Sequence, residues 1–154
     1  MDYVFIFIAE NVFLFSPVIA LYFFHKAPGG TKFDIATFAF FSLPLTFILS
    51  LVAKELYFNP LPFVVGGFEP LIPQDPSNGF PSDHTLLLAA IASIFTFVYK
   101  NKRVALVLWI ITFLVGAARM YVGVHHFLDI AGAILIALVS AYTVHAVMLW
   151  RKRV

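Results

Sequence analysis

Two histidine-containing motifs hold the side chains of this sequence that could carry out chemistry. The first reads Phe-Pro-Ser-Asp-His-Thr over residues 80–85, and the second runs over residues 119–129. His125 and Asp129 are four residues apart, which on a helix places both on one face. The carboxylate can then accept the imidazole N–H and fix its tautomer. This leaves the second ring nitrogen of His125 free to act as a nucleophile.

The same motifs offer groups that bind an anion. Arg119 presents a planar fork of donors that suits phosphate oxygens. Ser82 stands at the position of a helix N-cap, so the free N–H groups of residues 83–85 would form a phosphate cradle. His84 is placed to donate a proton to a leaving oxygen while Lys54 and Arg119 hold the other oxygens. These residue types predict phosphoryl transfer.

The composition restricts the kind of protein in which these motifs lie. Of 154 residues, 62% are hydrophobic and 12% are charged, with a mean hydropathy of +0.95. A soluble domain carries about 25% charged residues, so we expect one integral membrane domain over residues 1–154. The absence of cysteine excludes disulfides and thiolate chemistry, and a net charge of +2 does not indicate nucleic acid. Met1 and Asp2 give no basic start for a cleaved signal peptide.

Apolar helices must position the motifs, because crossing about 30 Å of hydrocarbon takes about 20 residues. Continuous apolar runs without alternation favour helices over barrel strands. We expect an all-α, polytopic membrane helix bundle with five transmembrane helices, at residues 3–24, 33–53, 82–99, 104–118 and 128–150. The third and fourth are short, about 27 and 22 Å. Pro17 and Pro44 predict kinks, and Thr31 with Asp34 predicts a capping box.

The basic residues predict how this bundle is oriented. Eight of the ten Lys and Arg residues fall on one side of a five-span chain: Lys26, Lys32, Lys100, Lys102, Arg103, Arg151, Lys152 and Arg153. The positive-inside rule assigns that side to the cytoplasm. Both motifs and the loop 54–81 then face outward, with Lys54 and Arg119 as the remaining basic residues. We expect a multi-pass protein of the inner (cytoplasmic) membrane whose site faces the periplasm or the cell exterior.

Together the motifs resemble those of the type-2 phosphatidic acid phosphatase superfamily. Its three motifs read Lys-x6-Arg-Pro, Pro-Ser-Gly-His and Ser-Arg-x5-His-x3-Asp, and the match covers residues 54–132. Three segments also resemble the bacitracin-resistance type of undecaprenyl-diphosphate phosphatase: residues 62–65, 70–73 and 78–85. That branch typically has aspartate in place of the second-motif glycine, as at Asp83. The resemblance implies a phosphatidic acid phosphatase type 2/haloperoxidase-like fold and a function in the cell envelope.

The resemblance also implies a role for each matching residue. His125 would be the nucleophile that forms a phosphohistidine, Asp129 would orient it, and His84 would be the general acid. The phosphate-binding residues would be Lys54, Ser82, Asp83 and Arg119. Because the family uses no metal, we expect neither a metal nor another cofactor.

The sequence departs from the family motifs at several positions. The first motif normally continues as Arg-Pro-Arg-Pro, whereas residues 59–62 read Asn-Pro-Leu-Pro, so both arginines are absent. Loss of one charge-assisted contact to a dianion costs about 1.5 to 3 kcal/mol unless another group substitutes. Ala118 replaces the serine before the arginine, and His126 adds an imidazole beside His125. Because family members usually have six spans, one N-terminal span is expected to be missing.

Three further polar positions allow more than one interpretation. His125, His126 and Asp129 could be metal ligands, but the adjacent arginine favours an anion. Glu10 lies within the first span, where an ionisable group is expensive, and its role is either structural or functional. His145 lies nearer the cytoplasmic end of the last span and is assigned as either an interfacial or a helix-packing histidine.

These expectations combine into a membrane lipid phosphatase that acts through a phosphohistidine. By resemblance, the favoured reaction converts undecaprenyl diphosphate to undecaprenyl phosphate and phosphate. Phosphatidylglycerophosphate, phosphatidic acid and lipid A 1-phosphate are alternative substrates, and loss of the arginines also allows a non-catalytic lipid-phosphate binding protein. Haloperoxidases share the histidine pattern but resemble soluble proteins. The expected partners are the lipid substrate and the bilayer, with no nucleic acid and no obligatory protein partner.

Overall fold

The computed structural model describes residues 1–99 and 101–151, and within these ranges the chain is all-helical apart from an isolated bridge between Pro60 and Asn78. The α-helices are α1 (Asp2–Asn11), α2 (Phe15–Lys26), α3 (Gly29–Leu56), α4 (Pro62–Gly66), α5 (Asp83–Val98), α6 (Lys102–Tyr121) and α7 (Phe127–Arg151). The all-α prediction is confirmed for this part of the chain. Of the basic residues that predict orientation, Lys100, Lys152 and Arg153 lie outside the described ranges.

The first apolar segment is a broken helix. A 3-10 turn, Val12–Leu14, separates α1 from α2. Pro17 accounts for this break, because proline lacks an N–H and its ring crowds the carbonyl of the residue four positions earlier, Phe13. The predicted helix over 3–24 is present, but its distortion lies one turn before the proline.

As far as the structure describes the helices, α3 is the longest, with 28 residues. It extends beyond the predicted 33–53 at both ends and continues through Pro44. The predicted capping box is wrong, because the helix begins directly after Pro28 without a side-chain cap. Thr31 and Asp34 therefore lie inside its first two turns. The longer helix carries the first-motif lysine in its last turn.

α5 is the buried centre of the bundle. It packs against α3, α6 and α7, and most of its residues are buried. Ala89 and Ala90 meet Ala137 of α7, and such small side chains let apolar helices approach closely in a membrane. Packing around α5 therefore holds together the helices whose ends carry the motifs.

Among the described residues, four helical segments are long and apolar enough to cross a membrane: Asp2–Lys26, Gly29–Leu56, Lys102–Tyr121 and Phe127–Arg151. α5 has 16 residues, about 24 Å, which is less than the roughly 30 Å of hydrocarbon. The predicted count of five spans is therefore not confirmed. The predicted bounds 104–118 were also too narrow, because α6 continues through Arg119 to Tyr121.

The turn between α6 and α7 presents the second motif. Gly123 has a φ of 85°, a left-handed conformation that glycine adopts without steric cost. The N–H of Val124 donates to the carbonyl of Arg119 at 3.2 Å. His125 therefore lies in the turn before α7, rather than on the helix as the spacing argument assumed.

The connection between α3 and α5 folds back over the motif ends of the helices. Leu61 and Ile72 of this connection are buried. Gly79 passes so close to its neighbours that an added Cβ would lie 2.9 Å from the Leu61 side chain and 3.0 Å from the Asp129 carboxylate. The connection thus forms one wall around the motif residues.

Gly132 of α7 offers a test of this packing. A Cβ at this position would collide with the ring of Phe80, which leads into the first histidine motif. We expect Gly132→Ala to lower the midpoint of thermal unfolding in detergent, because such overpacking costs about 1 to 3 kcal/mol. Gly30→Ala is the matched control, since nothing lies within 4 Å of its Cβ position. An unchanged midpoint for Gly132→Ala would contradict the packing described for Phe80.

Candidate active site

The ends of four helices meet and bring the motif residues together. Lys54 lies at the end of α3, residues 82–84 at the start of α5, Arg119 in the last turn of α6 and Asp129 in the first turn of α7. Contacts join these ends: Lys54 pairs with Asp83, and the backbone N–H of Ser82 donates to the carbonyl of Asp129. The turn that follows Arg119 carries His125, which bonds to the Asp129 carboxylate. The residues that the motif spacing predicts for the site therefore converge on one location.

A buried histidine–carboxylate pair lies at the centre of this location. Nδ1 of His125 donates to Oδ2 of Asp129 at 3.3 Å. The Asp129 side chain is fully buried and that of His125 is 9% exposed. Because a carboxylate only accepts hydrogen bonds, this contact places the ring proton on Nδ1 and leaves a lone pair on Nε2. The pairing expected from the spacing of four residues is present.

His126, the neighbouring imidazole, is held differently. Its backbone N–H donates to Oδ2 of Asp129 at 2.8 Å, and its Nε2 bonds to the carbonyl of Pro60 at 3.2 Å. A carbonyl accepts, so Nε2 of His126 carries the proton. This difference favours His125 over His126 as the nucleophile, an assignment that stays a prediction.

Arg119 supplies a buried donor that lacks a partner. The residue is 6% exposed, and its Nε finds no hydrogen-bond acceptor among the described residues. An unsatisfied buried N–H is unfavourable by about 1 to 3 kcal/mol, and more for a charged group, so an anion bound here would relieve it. Ala9, the neighbour of Glu10 in α1, packs with Ala118 and Val122 at this end of α6. Glu10 therefore belongs to the surroundings of the site.

The start of α5 provides further donors. Ser82 is the N-cap residue, as the sequence predicts, but its side chain makes no capping bond and instead accepts from Oγ1 of Thr85 at 3.2 Å. Its backbone N–H donates to the carbonyl of Asp129 at 3.2 Å. The first N–H groups of the helix, in residues 83–85, have no intrahelical acceptor. A helix start of this kind can bind an anion, and here it lies beside Arg119.

Lys54 is already paired within this arrangement. Its Nζ lies 2.8 Å from Oδ1 of Asp83, and the two side chains are 32% and 71% exposed. Solvent screens such a pair, so it holds Lys54 in place only weakly. The Asp83 carboxylate is thus paired with Lys54. The group that Asp83 can offer to an anion is its backbone N–H.

Two asparagines of the connection between α3 and α5, to which the motifs assign no role, belong to the wall that this connection forms. Nδ2 of Asn59 donates to Oδ1 of Asp129 at 2.7 Å. Oδ1 of Asn78 accepts from the backbone N–H groups of Asn59 and Phe80, both at 3.0 Å. The signals in the sequence were the dipeptides Asn-Pro and Asn-Gly. These dipeptides predict turns, but they do not show which residues the asparagine side chains contact.

The two positions of the missing arginines therefore have different surroundings. Asn59 reaches the site carboxylate, whereas Leu61 is 2% exposed and packs beneath Gly79. Neither supplies a positive charge. The cationic groups at the site are Arg119 and Lys54.

His125, His126 and Asp129 were the alternative metal ligands. Within residues 1–99 and 101–151, no group of three or more His, Cys, Asp or Glu residues is arranged to hold a metal ion. The expectation that hydrolysis proceeds without a metal stays a prediction.

Comparison with known proteins assigns the family. The PAP2 superfamily model matches residues 35–153, and the chain belongs to this superfamily. With its apolar helical segments, it is a multi-pass membrane protein of a family of lipid phosphatases.

Curated relatives share moderate identity with the chain. It is 32% identical over 100 residues to Undecaprenyl-diphosphatase BcrC of Bacillus subtilis, covering 65% of this chain and 49% of the relative. It is 35% identical over 96 residues to the Bacitracin transport permease protein BcrC of Bacillus licheniformis, covering 61% and 46%. The chain thus spans about half the length of these relatives.

Solved structures share the fold. The crystal structure of Aquifex aeolicus LpxE superposes with a TM-score of 0.60 at 22% identity, covering 92% of both chains. A PAP2 type phosphatidylglycerolphosphate phosphatase from Bacillus subtilis gives 0.55 at 21% identity, covering 96% of this chain and 84% of the other. At this identity the likeness supports the fold alone.

Arg119 should dominate the affinity of the site for phosphate-like anions. We expect Arg119→Lys to weaken binding of orthovanadate, measured by isothermal titration calorimetry in detergent, about tenfold or more, because the fork geometry is lost. Arg103→Lys is the matched control, since Arg103 is exposed in the first turn of α6, at the other end of that helix. Equal affinity of Arg119→Lys and the unaltered protein would show that this guanidinium does not hold the anion.

Proposed function

We propose that this protein removes a terminal phosphate from a lipid diphosphate at the extracytoplasmic face of the membrane through a phosphohistidine intermediate. The observation that carries the proposal is the buried His125–Asp129 pair beside Arg119, whose Nε has no hydrogen-bond partner within residues 1–99 and 101–151. Such a constellation combines an oriented imidazole with a preformed place for anionic oxygens.

The chemistry assigns one task to each part of the site. Nε2 of His125 attacks phosphorus, forming an N–P bond while the bond to the leaving oxygen breaks. His84 donates its proton to that oxygen. Water then attacks the phosphohistidine with His84 as the base, which releases inorganic phosphate and restores both imidazoles.

Phosphate binding is assigned to the ends of α3 and α6 and to the start of α5. Arg119 and Lys54 would hold non-reacting oxygens, and the free N–H groups at Ser82's helix start, including that of Asp83, would complete the cradle. The arriving anion would compete with Asp83 for Lys54, because that pair is exposed and weak.

The favoured substrate is undecaprenyl diphosphate, with undecaprenyl phosphate as the lipid product. Support comes from the name of the Bacillus subtilis relative and from the segments that resemble the bacitracin-resistance branch. An apolar groove of about 420 Å³ between α3 and α5 has Lys54 and Asp83 in its lining. A polyprenyl chain lying in this groove would bring its head group to the site.

A second substrate class, phosphorylated lipid A, is favoured by another relative. The chain is 31% identical over 74 residues to a Lipid A 4'-phosphatase of Porphyromonas gingivalis, covering 48% of this chain and 31% of that protein. Phosphatidylglycerophosphate and phosphatidic acid remain further alternatives. Competitive turnover of all four lipids by the purified protein distinguishes them, and undecaprenyl diphosphate should show the highest kcat/KM.

The proposed orientation of the protein in the membrane rests on the basic residues at the end of the bundle opposite the site. In the described ranges, Lys26, Lys32, Lys102, Arg103 and Arg151 lie at helix ends remote from the site. The positive-inside rule then places the site toward the periplasm or the cell exterior.

Substitution of the proposed nucleophile tests the mechanism. We expect His125→Ala to abolish phosphate release from undecaprenyl diphosphate in detergent, because no covalent intermediate can form. His145→Ala is the matched control, since His145 packs against Phe97 and Phe38 far from the site. Undiminished phosphate release by His125→Ala would refute the mechanism, and anion binding without turnover by the unaltered protein would favour a non-catalytic binding protein.

The proposed hydrolysis uses protein groups alone. Initial rates should therefore be the same with and without an excess of EDTA in the assay. A strict requirement for an added divalent cation would count against the phosphohistidine route.

A further inference from the structure

We propose that Asn59 is a positioning residue that holds Asp129 in the orientation His125 requires, an inference that rests on the proposed function. Asn59 is neither a member of the predicted site nor charged. Its Nδ2 donates to Oδ1 of Asp129 at 2.7 Å, the shortest hydrogen bond to that carboxylate.

The two carboxylate oxygens have separate partners. Oδ2 accepts from His125 and from the backbone N–H of His126, whereas Oδ1 accepts from Asn59 within the described part of the chain. The terminal torsion of an aspartate is broad, so donors on one oxygen alone fix it poorly. Asn59 supplies the donor on the other oxygen and thereby fixes the plane of the carboxylate.

Asn59 is itself anchored on both sides of its backbone. Its N–H donates to Oδ1 of Asn78, and its carbonyl accepts from the N–H of Gly79 at 2.8 Å. Nδ2 of Asn78 donates in turn to the carbonyls of Lys54 and Tyr57, at 3.1 and 3.0 Å. A continuous hydrogen-bonded chain therefore runs from the end of α3 to Asp129 at the start of α7.

The chemistry of an amide suits this task. An amide donates a hydrogen bond without adding charge, so the carboxylate stays an anion that can stabilise the imidazole as it becomes cationic. A residue that acted on phosphate from this position would change substrate binding instead. The two roles therefore separate in steady-state kinetics.

Asn59→Ala and the nearly isosteric Asn59→Asp test the role. With undecaprenyl diphosphate in detergent, we expect kcat to fall about tenfold to a hundredfold in Asn59→Ala, as for loss of a hydrogen bond to a charged group. It should fall further in Asn59→Asp, which sets a carboxylate against Asp129. KM should change less than about twofold, because the phosphate-holding groups are untouched.

Asn101→Ala is the matched control. Asn101 caps α6 at its other end by accepting from the N–H of Arg103 at 3.1 Å. Its loss lowers the thermal midpoint, since a cap contributes about 1 kcal/mol, but should leave kcat unchanged. A fall in kcat that merely follows lost stability would appear in this control as well.

A second measurement does not need turnover. The ¹⁵N spectra of histidine-labelled protein report the tautomer of each ring, and His125→Gln assigns the signals of His125. In the unaltered protein the ring of His125 should be protonated at Nδ1. In Asn59→Ala and Asn59→Asp the ring should shift toward a mixture of tautomers. This shift in tautomer supports the inference even if the unaltered protein hydrolyses no lipid phosphate. An absence of hydrolysis would refute only the proposed function. Unchanged His125 signals, or a raised KM with unchanged kcat, would overturn the inference.

Discussion

The buried carboxylate of Asp129 is the group on which the arrangement of the site depends. An ionised side chain in apolar surroundings is stable only when donors satisfy it. Its donors come from Asn59 in the connection between α3 and α5, from the His125 ring and from the backbone of His126. The bonds that satisfy the charge therefore also fix the connection, the turn and α7 relative to one another.

The groups that fix the orientation of Asp129 and His125 lie on one side of the site, and the groups that attract an anion lie on the other. Orientation lies on the Asp129 side, where neutral amide and backbone donors fix the geometry. The positive charge lies across the site, where the Nε of Arg119 has no partner in the described part of the chain and the start of α5 exposes N–H groups. The central position of α5 makes this possible, because the short, buried helix begins within the bundle beside the ends of α3, α6 and α7.

Much of this arrangement could be predicted from the sequence because it follows from local spacing. The four-residue spacing of His125 and Asp129, the N-cap position of Ser82 and the apolar helices needed only periodicity and residue chemistry. The capping box failed because Pro28 sets the helix start, and the count of five spans was not confirmed because α5 is short. The contact of Asn59 with Asp129 spans seventy residues of sequence, and no local pattern encodes such a contact.

The central claim is that His125 becomes phosphorylated during hydrolysis, and direct mapping of the intermediate tests it. Protein turning over undecaprenyl diphosphate would be quenched in alkali, which preserves phosphohistidine, digested and sequenced by mass spectrometry. We expect phosphate on His125, both in the unaltered protein and in His126→Ala. Turnover with the phosphate on His126, or with none on the protein, would contradict it.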